Sequence, residues 1–590
     1  MNIFLKKTED RSKPNRRDFL IHSTCASMGI TSIVNTLAQL KLVGSAAAQG
    51  GGGDYKALIC FFQHGGNDAN NLLIPAGGGS AARTHYQNGR GILTIPDSAF
   101  DFTPTGTQSY FGASGQVSSR LTPLNGGLYD PVGISNYTQN TMALHPLAYP
   151  MAQMFESGDL AFIANVGTLV GTQNVTRANF NTLPAAAKPP QLFSHSDQQV
   201  QWQSSLPDQP FTRGWGGKMA DLLAGSHGAG DLSLSVSIAG VNSFQVANNE
   251  PAYFMNSSGA VSPLTGFSGG TPTTSYGSAV RNVNLQPTYT NPSSLPGGKY
   301  NPMAALSAGA DPLLGTNYQH NAAGWRLRAI EQIMAMSHAS LFDAEYLDSG
   351  KNARVTEGLV GNALSQTATT INGVAATTLD AHWENWFPNG LFNPRMPDIG
   401  NQLKVVARMI AGRSALSNTR QIFFVQLGGH DTHTSQTQGN STQGHQGLVN
   451  QMARAIRAFK DAMIELGMWD QVLMFSASDF NRTFTPNKND ATGGSDHAWG
   501  THTFVAGGAV NGHKIYGRFP DLTVNGGIDC TGNRGRWIPS TATDQVYASI
   551  AKWFGCSDSQ IDSVLPNFKR FQPDLSSGTL TSRNLDFLNI

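Results

Sequence analysis

Cysteine is scarce in this chain. There are four among 590 residues and no Cys-x-x-Cys spacing, which argues against a thiolate zinc site. Cys25 lies in a leader-like N-terminal stretch, Cys60 falls inside an apolar run as a small core residue, and Cys530 and Cys556 remain as a pair that an oxidising compartment would allow to join. Charge is thin as well. Acidic and basic residues make up 13% of the chain, against roughly 25% in an average soluble domain. The formal net charge of +1 comes from the N-terminus: setting aside the seven basic and three acidic residues among the first 48 leaves 32 basic against 35 acidic. No basic stripe recommends nucleic acid as a partner. Beyond the N-terminus no run approaches the roughly 18 apolar residues needed to cross a bilayer, so no transmembrane segment is expected in the mature protein. No internal repeat is evident.

Glycine is plentiful, at 65 residues, and a hydrophobic content of 39% suffices for a sizeable core at this length. The composition fits one large α/β domain over residues 49–590. Ahead of it, Asn15-Arg16-Arg17-Asp18-Phe19-Leu20, a mildly apolar stretch and Ala46-Ala47-Ala48 follow the order of a twin-arginine signal peptide over residues 1–48. That order implies the twin-arginine export machinery as a partner and a periplasmic or secreted product.

Three apolar runs of strand length each end in polar groups. Ala57 to Phe62 (ALICFF) leads into His64-Gly65-Gly66-Asn67-Asp68. Gln421 to Leu427 (QIFFVQL) leads through Gly428-Gly429 into His430-Asp431-Thr432-His433, and Gln471 to Ser476 (QVLMFS) into Asp479-Phe480-Asn481-Arg482. Between the last two, Leu448, Met452, Ala455, Phe459, Met463 and Leu466 recur at three and four residues, the period of an amphipathic helix directly after His445. Strand, helix, strand argues for a parallel sheet, and ligands bind at the carboxyl ends of such strands. Asp496-His497 follows in a Gly-rich loop. Further helices are expected at Leu147 to Ser157, Tyr318 to Leu347 and Asn401 to Gly412, and a further buried strand at Leu160 to Val166. Residues 225–315, rich in Gly, Ser and Asn, suggest an insertion of loops and short strands.

The blocks FFQHGGNDANNLLIP, LFSHSDQQVQWQS, LGGHDTHTSQ, and SDFNRT continuing through GGSDHAWGTHTFVAGGAV, in this order behind the leader, resemble the exported family catalogued as domain of unknown function 1501. Its fold looks like that of the alkaline phosphatase and sulfatase superfamily. The resemblance implies an α/β, alkaline-phosphatase-like three-layer sandwich with a mostly parallel central sheet. It also implies Asp68 as the acid after the first strand, Ser194 as a hydroxyl nucleophile at a helix start, Asp431 with His445 or the competing His433, Asp479, and His497 as the last imidazole. Phe480 departs from the pattern, standing where the superfamily has a metal-binding imidazole.

On that pattern one cation, zinc or manganese, would rest on Asp431, His445 and His497. A second, magnesium or calcium, would rest on Asp68, Asp479 and the Ser194 oxygen, with His195 or Arg482 steadying developing charge. The implied activity is metal-dependent hydrolysis of phosphate or sulfate esters, on small molecules or polysaccharide. The alternative is a non-catalytic exported binding protein that recognises a cell-surface glycan or a protein partner. His64, His145 and His513 read as ordinary surface or core histidines.

Overall fold

The computed structural model describes residues 55–571 apart from 104–115, 125–140, 172–174, 227–232, 258–293, 296–298, 301–375, 389–395, 440–443 and positions 415, 417 and 526, and then residues 585–589. The expected leader, the helix at Tyr318 to Leu347 and most of the 225–315 insertion lie outside the described residues.

The centre of the fold is a mixed, mostly parallel nine-stranded sheet. Its strands are β1 (Lys56–Gln63), β2 (Leu160–Gly167), β3 (Ser235–Ser237), β4 (Tyr253–Phe254), β5 (Arg420–Leu427), β6 (Val472–Ser478), β7 (Thr501–Ala506), β8 (Ile515–Tyr516) and β9 (Thr541–Ala542). The spatial order is β8-β2-β7-β6-β1-β5-β3-β4, with β9 beside β2. Only β7 runs antiparallel to its neighbours, β6 and β2. β1 shows why its sequence reads as an unbroken apolar run. Ala57, Ile59 and Phe61 enter one core while Leu58, Cys60 and Phe62 enter the other, so the two-residue period buries both faces.

Helices cover each face. The first core takes side chains from Asp398–Ala411 and Gly444–Glu465, the second from Trp215–Leu223 and Thr543–Phe554. The helix Gly444–Glu465 buries Met452, Ala455, Phe459 and Met463, the stripe its spacing predicts, and starts early enough to include His445. The helices expected at 147–157 and 401–412 are present as Tyr149–Glu156 and Asp398–Ala411, and the strand at 160–166 as β2.

All three described cysteines are free and buried. Cys530 belongs to the first core and Cys556 to the second, so the disulfide that the sequence left open does not form: the two thiols pack into different cores. Among the described residues no helix is long and apolar enough to cross a membrane.

Register places the polar loops. Gln63, at the end of β1, is level with Leu427 of β5 and with Ser478 of β6, so the segments that begin at His64, Gly428 and Asp479 leave the sheet side by side.

Candidate metal centre

Two glycines let those segments close on one another. Gly65, at φ +109°, has the Asp431 backbone nitrogen 2.7 Å from where a Cβ would stand, and its own N–H donates to Asp479 Oδ2 at 3.2 Å. Gly66, at φ +79°, lies against the Phe480 ring, 2.5 Å from the corresponding Cβ position. Any side chain at either position would push the loops apart, besides straining a left-handed backbone.

Four side chains converge above this junction. His195 opens the helix His195–Ser204, Asp431 and His433 follow β5, and His497 comes from the loop before β7. The Nε2 atoms of His195 and His497 are 3.1 Å apart, and those of His433 and His497 2.9 Å. Asp431 Oδ1 lies 3.1 Å from His433 Nε2, 3.3 Å from His497 Nε2 and 3.6 Å from His195 Nε2. The cluster opens to solvent: the side chains of Asp431, His433, His195 and His497 are 44%, 42%, 32% and 22% exposed.

Each imidazole is held at its other nitrogen. His195 Nδ1 is 2.7 Å from Asp479 Oδ2, His433 Nδ1 is 2.9 Å from Asp496 Oδ1, and His497 Nδ1 is 2.7 Å from the Phe193 carbonyl. All three partners are acceptors, so Nδ1 carries the proton and Nε2 presents a lone pair. Lone pairs facing one another at about 3 Å repel unless a proton or a cation stands between them. Acceptors behind ligating histidines are the usual second layer of a metal site.

Charge around the cluster follows from the same contacts. The hydrogen bond to Asp479 raises His195 above the ordinary imidazole value, whereas burial lowers His497. Burial alone would raise Asp431, but the Arg482 guanidinium, donating from Nη1 to Oδ1 at 2.5 Å, outweighs it and holds the carboxyl low. Arg482 is fully buried and its Nη2 donates to the Ser495 carbonyl. Its donors serve the protein, so it positions Asp431 instead of steadying charge on a substrate.

The donor set fits a cation. Two imidazole nitrogens and a carboxylate oxygen, from His195, His497 and Asp431, suit zinc or manganese. The separations of 3.1, 3.3 and 3.6 Å among His195, His497 and Asp431 are near the roughly 3.3 Å edge of a tetrahedron whose bonds are about 2.0–2.1 Å.

Not every residue expected from the sequence joins the cluster. His445 is buried beside Asp68 and edge-on to His145, with ring centroids 6.0 Å apart, so the grouping of Asp431, His445 and His497 is not brought together; the imidazole grouped with Asp431 and His497 is that of His195. Asp68 is fully buried and accepts from Arg90, Gln436 and Asn70. Burial alone would raise it, yet Arg90 holds it below the ordinary carboxylate value. A carboxylate with those partners is a structural anchor. Asp479 stands behind His195 instead of reaching the cluster itself, and its Oδ1 is buried without a hydrogen-bond partner among the described residues. Ser194 turns its hydroxyl to Asp197 Oδ2 at 2.5 Å. Phe480 is fully buried with its ring 4.6 Å from both the His195 and the His497 rings, a floor under the two imidazoles. Sequence reasoning missed Asp496 and the Phe193 carbonyl. Asp496 carried a signal, since it directly precedes His497, but a backbone carbonyl carries none.

The family model described as protein of unknown function (DUF1501) matches residues 55–527. No curated protein matches significantly.

Proposed function

We propose a function for this chain, which belongs to the DUF1501 family, from the side chains of its cluster: His195, Asp431 and His497 hold one divalent cation, zinc or manganese, with His433 beside them, and the protein is an exported metal-dependent hydrolase of phosphate or sulfate esters. The observation that carries the reading is the set of facing Nε2 lone pairs, each fixed from behind by an acceptor at Nδ1. A bound cation would supply Lewis acidity at the ester oxygen and charge stabilisation as the bond breaks.

The chain's own residues do the rest. Asp479, Asp496 and the Phe193 carbonyl fix the imidazole orientations, and Arg482 holds Asp431. Ser194, next to His195 in sequence, has the Asp197 carboxylate as a proton acceptor, the arrangement of an activated hydroxyl. Export rests on the twin-arginine leader of residues 1–48, and the superfamily likeness on the order of the motifs. Phe480 beneath the imidazoles favours a single cation over the two of the superfamily pattern. It also supports a second reading, a non-catalytic binding protein that uses the cation to hold a glycan or protein ligand.

The test is metal analysis of the mature protein together with turnover of aryl phosphate and aryl sulfate. Near-stoichiometric zinc or manganese, lost in His497→Ala and His195→Ala but kept in Asp68→Asn, with turnover that falls about a hundredfold or more in His497→Ala and Ser194→Ala, is the expected result. Bound metal without turnover would favour the binding protein. A folded protein that takes up no cation from zinc or manganese solutions would sink both.

A further inference from the structure

Beside the cluster stands a short antiparallel hairpin, Cys530–Thr531 paired with Arg536–Trp537, beyond the 55–527 stretch matched by the family model. It is pinned to the segment after Asp479: Phe484 N–H donates to the Gly535 carbonyl and Thr485 N–H to the Arg534 carbonyl, each at 3.1 Å. The hairpin carries two arginines to the metal centre. Arg536 Nε donates to the His497 carbonyl at 2.9 Å, and its guanidinium lies 4.4 Å from the centroid of the Phe193 ring. Arg534 Nη1 donates to Asp496 Oδ2, the carboxylate whose other oxygen holds His433.

These contacts leave donors over. Arg534 Nη2 is buried without a hydrogen-bond partner among the described residues, and among the described residues the Arg536 side chain donates from Nε alone. Among the described residues Arg534 pairs with Asp496, and Arg536 has no carboxylate ion pair. A half-buried pair of cations with unspent donors is suited to a multidentate oxyanion, and stacking on Phe193 holds one guanidinium in place.

We infer that Arg534 and Arg536 form an anion subsite adjoining the metal centre, which recognises the tetrahedral oxyanion of a phosphate or sulfate group. The inference rests on the reading of the cluster as a cation site and adds to it the charge of the ligand. The group bound is either the reacting ester itself or a flanking substituent of a polyanionic substrate.

The experiment is calorimetric titration of the mature protein with inorganic phosphate and with inorganic sulfate, metal-loaded and metal-stripped, with metal content measured on every sample. The expected result is binding by the wild type that weakens roughly tenfold or more in Arg536→Met and in Arg534→Met, while metal content stays at the wild-type level. Should Arg536→Met lose its cation, Arg536→Lys decides, since it retains the charge but not the fork and should still bind several-fold more weakly. Provided the arginine variants weaken binding, loss of binding on stripping identifies the anion as the reacting ester, and retention identifies a flanking charge. Wild-type affinity in metal-loaded arginine variants, or no affinity for either anion in the wild type, would overturn the subsite. Neither result touches the cation site, which stands or falls on metal content alone.

Discussion

His195 is bound at Nδ1 by Asp479 at 2.7 Å, and the carboxylate that holds it is fully buried and also accepts from the Gly65 N–H. The pair fixes both the tautomer and the direction of the imidazole, so Asp479 orients one member of the cluster without itself reaching the cluster. Asp479→Asn keeps an acceptor in place and removes the charge. Zinc affinity at neutral pH should fall about 10–100-fold while the fold persists. The hydrogen bond to Asp479 is also the main reason His195 lies above the ordinary imidazole value. A proton therefore competes with the cation for His195 early as pH falls, and in the variant that loss should move to lower pH. Competition with a coloured chelator across pH 5–8 checks both. An unchanged affinity and profile would mean that His195 is not a ligand.

Asp68 meets Arg90 in a fully buried ion pair. Removing one partner leaves the other as an uncompensated buried charge, which costs more than the pair itself gained. Arg90→Met should therefore lose about 3–5 kcal/mol of stability, with metal content unchanged in whatever protein remains folded. Urea unfolding with metal analysis of the native fraction reads both quantities. Metal lost from protein that is still native would return Asp68 to the cation site.

Phe480 is the floor of the cluster, touching the rings of His195 and His497. Phe480→Ala should cost about 3–5 kcal/mol as a large-to-small change at a buried site and should loosen both imidazoles. Phe480→Leu fills most of the space and should retain the cation. The comparison separates packing from ligation, since neither side chain can bind metal. Retention of full zinc affinity in a folded Phe480→Ala protein would show that the floor does not orient the imidazoles.

The strands and the long helix were legible because burial imposes a period on them. β1, β5 and β6 are apolar runs since helices cover both faces, and Gly444–Glu465 repeats at three and four because one stripe meets the sheet. Asp431 and His497 were legible because glycines and strand ends surround them. Partner choice was not legible. Nothing near Asp68 in sequence announces Arg90, and His433 stands in the loop after β5 while His445 is buried in the first turn of Gly444–Glu465, the former placed by contacts with residues more than 60 positions away. His195 drew attention as a neighbour of Ser194, while its place in the cluster depends on Asp479, 284 residues on.

Asp544 offers a test of the fold away from the centre. It lies in the first turn of Thr543–Phe554, fully buried, with Oδ2 accepting from Asn567 at 3.1 Å and Oδ1 without a hydrogen-bond partner among the described residues. Burial pushes its carboxyl up to about 6 from an ordinary 3.8. A carboxyl raised by folding binds a proton more tightly in the native state, so its favourable contribution is complete below about pH 4, is lost between about 4 and 6, and leaves an ionisation cost above that. At 1.36 kcal/mol per pKa unit the cost at neutral pH is on the order of 2–3 kcal/mol. Asp544→Asn keeps the shape, cannot ionise, and puts an amide nitrogen in place of one oxygen. The variant should therefore exceed the wild type by about 2 kcal/mol at pH 8 and by much less at pH 4, whatever the other carboxylates do, because they titrate alike in both proteins. Urea midpoints at the two pH values give the difference, and equal differences at both would mean that Asp544 is already neutral or already solvated in the native protein.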